Sequence, residues 1–146
     1  MVARKPCPFC QIARGEAAAW IVLEDPHSVA FLDHRPLFPG HCLLIPREHY
    51  ETLMDVPPEQ IGPLFRNAQR LAQAMEKGLG AEGSFVAINN RVSQSVPHLH
   101  IHVVPRRKGD GLRGFFWPRQ RYASETEMAE IAARLREALE SLDGER

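Results

Sequence analysis

The segment Ser95-Val96-Pro97-His98-Leu99-His100-Ile101-His102-Val103-Val104-Pro105 restricts the fold more than any other stretch of the chain. Alternation of polar and apolar residues marks a β-strand with one buried face. Successive strand side chains point to opposite faces, so His98, His100 and His102 share one and Leu99, Ile101 and Val103 the other. Alternate residues lie about 7 Å apart, at ~3.3 Å per residue. A single half-buried strand histidine is ordinary, but packing does not account for three at alternate positions. Neighbouring imidazoles suppress one another's protonation and keep neutral nitrogens available near pH 7 as ligands or nucleophiles.

Around this strand, read as His98 to Val104, other elements follow from local pattern. Trp20 to Glu24 and Ser28 to Asp33 are β-rich runs joined by a hairpin turn at Glu24-Asp25-Pro26-His27. His41 to Ile45 is a third strand, stopped by Pro46, and Ser84 to Asn89 a fourth. Between them Ile61, Leu64, Phe65, Ala68, Leu71, Ala72 and Met75 recur at helical spacing from Glu59 to Lys77, with Gly78 and Gly80 as the stop. A short helical stretch ends near Gly15. A second long helix follows Ser124-Glu125-Thr126-Glu127, which reads as a capping box, with Met128, Ile131, Leu135, Leu139 and Leu142 as its apolar face. Five strands and two main helices that do not alternate give an α+β fold with an antiparallel sheet. The two helices are expected to cover one sheet face, leaving the other for binding or for a second subunit. The 146 residues suit a single domain over 1–146, with a core at about 7–106 and a C-terminal loop and helix at 107–146.

Eighteen basic residues balance 18 acidic ones, so the chain is formally neutral. A bulk binder of nucleic acid or of an anionic membrane normally carries a basic excess. No apolar run approaches the roughly 18–20 residues that span a bilayer, and the first residues are too polar for a signal peptide. Three cysteines, an odd number, speak against a secreted disulfide framework and for a reducing, cytoplasmic setting. Cys7-Pro-Phe-Cys10 has two chemical readings. A redox pair normally follows a strand of a βαβ unit, and only six residues precede Cys7. Two thiolates at knuckle spacing, completed by two imidazoles, make a tetrahedral zinc site. Cys42, beside Leu43 on a strand, reads as a small buried hydrophobe.

His98-x-His100-x-His102 followed by apolar residues resembles the signature of the histidine triad family of nucleotide hydrolases and transferases. Phe31-Leu32-Asp33, Pro39-Gly40-His41, Ile45-Pro46-Arg47-Glu48-His49 and Gln94-Ser95-Val96 occur in that family's order, so the resemblance spans roughly residues 7–106. It implies a nucleotide hydrolase cleaving at the α-phosphate of a purine nucleoside phosphoramidate or dinucleoside polyphosphate. His100 attacks the phosphorus, and water then releases a nucleoside monophosphate from the nucleotidyl-imidazole. His102 contacts the phosphate and steadies His100, while Gln94 and Ser95 hydrogen-bond phosphoryl oxygens or the leaving group. Nucleotidyltransferases of the family carry Gln at the third position, so His102 favours hydrolysis. A transferase or phosphorylase using the same histidine, and a nucleotide-binding regulatory protein without turnover, are the alternatives.

By the same resemblance Phe9, Ile12 and Phe31 sandwich the base and Asp33 accepts from the ribose hydroxyls. His34 alters the base contact, and His41 and Asn89 lie near the site. One branch of the family pairs an N-terminal CxxC with two histidines, here giving Cys7, Cys10, His49 and His98 around one structural zinc per chain. The family also implies a homodimer whose two sheets join into one of ten strands. Asn89-Asn90-Arg91-Val92-Ser93-Gln94 departs from the pattern: it is short and lacks the glycines whose amides usually approach the phosphates. Residues 106–121 hold six basic residues against one acid, with Phe115-Phe116-Trp117-Pro118 among them. This segment reads as a loop attracting a polyphosphate substrate rather than as a nucleic-acid surface.

Overall fold

The computed structural model describes residues 6–113 and 118–144. Phe115, Phe116 and Trp117, and so most of the aromatic part of the basic segment, lie outside the described residues. The described residues fall into two compact units, divided between Asp110 and Gly111.

The first unit contains α1 (Pro8–Ala13), β1 (Ile21–Glu24), β2 (Ser28–Leu32), β3 (Cys42–Pro46), α2 (Pro58–Leu79), β4 (Gly83–Ala87) and β5 (Ile101–Arg106). The strands form one antiparallel sheet in the order β1-β2-β3-β5-β4. With α3 (Glu125–Gly144) in the second unit, the fold is α+β with five strands and three helices. α2 starts with Pro58 in its first turn and stops at Gly80, whose φ of 66° suits glycine. Gly78, expected to be part of the stop, lies inside the helix.

Strand alternation sorts the sheet into two faces. Ala30, Cys42, Leu44, Ile101 and Val103 pack against Leu64, Ala68, Leu71 and Met75 of α2. Val29, Phe31, Leu43 and Ile45 point the other way and pack with Phe9 of α1. Leu43 is the register partner of His102, so His102 lies on the α1 face. Arg47 ties α1 to the hairpin by donating to the carbonyls of Asp25 (2.6 Å) and Ala13 (2.9 Å).

Three expectations need correction. The histidine strand begins at Ile101 rather than His98: the β3–β5 register ends at Leu44↔Ile101, and Pro46, two residues on, has no N–H to offer the Leu99 carbonyl. The Leu99 amide donates instead to the Tyr50 carbonyl at 2.7 Å. Phe65 of the expected α2 face is 37% exposed, and the buried polar residue is Asn67. It donates to Asp25 Oδ2 (2.7 Å) and Ser28 Oγ (2.6 Å), which supplies the partners a buried amide needs. α3 has no buried residue, and Met128, Leu135, Leu139 and Leu142 are exposed. Within the first unit, α2 packs on the inner face of β3, β5 and β4. The cap of α3 is half reciprocal: Glu127 N donates to Ser124 Oγ, while the Glu127 carboxylate accepts from Ala123 N.

Candidate active site and metal centre

His100 is 4% exposed and its Nδ1 lies 2.8 Å from the His98 carbonyl oxygen. A carbonyl only accepts, so Nδ1 carries the proton and Nε2 of the neutral ring holds the free lone pair. The Phe9 ring stands edge-on to His100, with centroids 5.1 Å apart, and to Phe31 at 5.4 Å.

A second chain of donors fixes His102. The Leu37 amide donates to His41 Nδ1 at 3.0 Å, so the proton of His41 sits on Nε2. That nitrogen is 3.0 Å from His102 Nδ1, which therefore accepts, leaving Nε2–H of His102 as a donor. Burial, with help from neighbouring His100 and His41, pushes His102 down to about 4. Burial also lowers His41, against the opposing pull of Asp33. Both rings stay neutral at pH 7, so the donor pattern holds there.

These groups open onto a cavity of about 560 Å³, within the range of small-molecule sites. Phe9, Ile12, Phe31, Asp33, His34, Ser95, His100 and His102 line it, a mixture of apolar and polar side chains. His41 stands behind His102, 3% exposed. Gln94 and Asn89 are not among the lining residues. The Gln94 carbonyl oxygen accepts from Arg91 N at 2.8 Å and its amide donates to the Glu51 carbonyl at 2.6 Å. Asn89 is exposed, and it is Asn90 whose side chain is engaged, accepting from Leu53 N. Arg91 and Ser93 take positive φ of 67° and 62°, so the loop makes its turns in a conformation usually left to glycine. Ala18, Ala19, Trp20 and Leu43 also line the cavity. The run Ala17-Ala18-Ala19-Trp20 carries no motif, and an aromatic residue after a run of small ones was the only signal available.

The second cluster is Cys7, Cys10, His49 and His98, one ligand atom of each within 4.8 Å of the others. Pro8 starts α1 just after Cys7, and the six-residue helix brings Cys10 back beside it. Cys10 Sγ lies 3.2 Å from His49 Nδ1 and 3.5 Å from His98 Nδ1, and Cys7 Sγ 3.4 Å from His98 Nδ1. Tetrahedral zinc holds sulfur and nitrogen ligands roughly 3.5 Å apart, so the spacing suits it. His98 Nε2 donates to the Pro46 carbonyl at 3.0 Å, which turns an unprotonated Nδ1 toward the sulfurs. Burial pushes His98 down to about 4, keeping it in this ligand form. Cys42 stays apart from both clusters, its thiol raised to about 11 by burial.

The HIT domain family model matches residues 14–109. An adenylylsulfatase of Arabidopsis thaliana is 35% identical over 108 residues, 73% of this chain and 55% of that protein. The adenosine 5'-monophosphoramidase of Saccharomyces cerevisiae is 32% identical over 139 residues, 94% of this chain and 84% of that one. A zinc-bound histidine triad family protein from Mycobacterium smegmatis has a crystal structure similar to this chain, with a TM-score of 0.70 and 39% identity, covering 96% and 97% of the two chains. Other relatives, at 39% and 41% identity, are known as uncharacterized HIT-like proteins. With its three alternating histidines and its Cys7, Cys10, His49 and His98 group, this chain belongs to the HIT family, in the zinc-bearing CxxC branch.

Proposed function

We infer that the protein hydrolyses nucleotides at the α-phosphate, acting on a purine nucleoside phosphoramidate or a dinucleoside polyphosphate. The observation that carries this reading is the His98 carbonyl, which accepts the hydrogen bond of His100 Nδ1–H and leaves Nε2 as the nucleophile in the cavity. Nε2 forms a bond to the α-phosphorus as the bond to the leaving group breaks. Water then attacks the same phosphorus, freeing His100 and releasing the nucleoside monophosphate. His102 donates to a phosphoryl oxygen, and Ser95 lines the cavity to contact oxygens or the leaving group. Phe9, Ile12 and Phe31 hold the base, with His34 at the rim, and Asp33 accepts from the ribose. The names of the two enzyme relatives, which differ in leaving group, support nucleotide hydrolysis and leave that group open.

Cys7, Cys10, His49 and His98 fit one zinc ion, which cross-links the N-terminal helix to the histidine segment. Four protein ligands fill its coordination, so its role is structural. Residues 1–146 act as one HIT domain in a homodimer, for which β1 and β4, the outer strands of the described sheet, offer joining sites. No described helix is long and apolar enough to cross a membrane.

The test is a turnover panel of AMP- and GMP-linked phosphoramidates, dinucleoside polyphosphates and adenylylsulfate, with intact-mass detection of a nucleotidyl adduct. Release of nucleoside monophosphate with an adduct on His100 is the expected result. Phosphate-dependent release of a nucleoside diphosphate marks a phosphorylase instead. A second reading, nucleotide binding without turnover, is favoured by the Gln94 amide being bound to Glu51 and Arg91. AMP binding with no turnover across the panel identifies it.

A further inference from the structure

Trp20 lines the cavity and yet is 79% exposed, an unusual state for the largest apolar side chain. Its backbone is not loose: the Leu32 amide donates to the Trp20 carbonyl at 3.0 Å, pinning its Cα to the sheet. The next residue, Ile21, pairs with Phe31, a buried residue of the cavity wall. Directly after that pair the β1–β2 register shifts, so that Leu23 rather than Val22 faces Ala30. Such a bulge bends a strand and re-aims its side chains, and bulges gather beside active sites. Ahead of Trp20, Ala18 and Ala19 line the wall with methyl groups only. The indole thus sits on a fixed backbone among the lining residues of the cavity, with most of its surface open to solvent.

We propose that Trp20 is a base-binding residue, its indole stacking on the outer face of a base whose inner face rests on Phe9 and Phe31. This rests on the nucleotide reading above and adds a residue to it. A planar heteroaromatic base supplies the partner that an exposed indole lacks, and stacking asks only for a π-face. Ribose and phosphate contacts fall, on the same reading, to Asp33, His100 and His102, so that the Trp20 contact is separable from them by a ligand without a base.

The chain has two tryptophans, Trp20 and Trp117, so a Trp117→Phe background isolates the emission of Trp20. Titration with AMP is expected to quench that emission, saturating at the Kd that calorimetry gives. Ribose 5-phosphate, which has no base, binds and leaves the emission unchanged. Trp20→Ala weakens AMP about tenfold, the weight of one base–aromatic stack, while ribose 5-phosphate stays within twofold. Trp20→Phe recovers most of the AMP affinity. AMP binding by calorimetry with silent emission and a Trp20→Ala Kd within twofold overturns the proposal and leaves the nucleotide reading standing. AMP that fails to bind the unsubstituted protein overturns both.

Discussion

An imidazole has two nitrogens, and which one attacks depends on where the single proton of the neutral ring sits. At His100 that is decided by a backbone carbonyl, and at His102 by a relay that begins at the Leu37 amide and passes through His41. His100→Ala is expected to lower turnover more than about a thousandfold, since the step that splits the reaction in two is lost. Steady-state kinetics with a phosphoramidate substrate measures it. His41→Phe keeps a ring of similar shape but removes the donor to His102. It is expected to lower kcat about a hundredfold, the scale of a misplaced contact, with a smaller change in KM. Burial holds His102 at about 4 against an ordinary value near 6.5, so the unfolded chain takes up the proton first as pH falls. The contribution of His102 to stability is intact above about pH 6.5 and is lost progressively toward pH 4. A lower urea midpoint at pH 5 than at pH 7 is the expected sign.

Among the elements, Gly40 shows how closely the β2–β3 connection is drawn. Its φ is 101°, and a Cβ there meets Leu79 Cδ1 at 2.5 Å. Leu79 is a flexible side chain that can move, so the backbone conformation sets the cost, about 1–3 kcal/mol for Gly40→Ala by urea unfolding. β2 and β3 are mostly apolar runs buried on both faces, whereas alternation along the histidine strand made its two faces legible in the sequence, because period 2 is a local property. The α2 stripe was legible for the same reason, except where Asn67 answers Asp25 and Ser28 from about forty residues away. The start of β5 was not legible, since it depends on what Pro46 in another strand fails to donate. Of the expected site, the side chains carried by β2 and the histidine segment converge on the cavity, while Gln94 turns back into its own loop. That loop is built on positive φ at Arg91 and Ser93, which residue type alone conceals. Trp20 was overlooked because an aromatic at a strand start looks like core until its exposure is seen.

At the scale of the whole molecule, the N-terminal helix and the histidine segment are brought together by Cys7, Cys10, His49 and His98 from three separate stretches of chain. Removing bound metal with a chelator is expected to lower Tm by roughly 10 °C, the drop that ~3 kcal/mol produces in a chain of this size. The same treatment bears on catalysis, because His98 serves both ends. Its ring faces the sulfurs, and its carbonyl holds the proton of His100. Release of the ring would free the peptide unit whose carbonyl accepts from His100, so chelation is expected to lower kcat more than it raises KM, with zinc restoring both. On the proposed reading, a thiol oxidant or alkylating agent at Cys7 and Cys10, chemically unrelated to any nucleotide, is expected to lower turnover, because the ring beside those sulfurs and the carbonyl bound to His100 belong to one residue, His98.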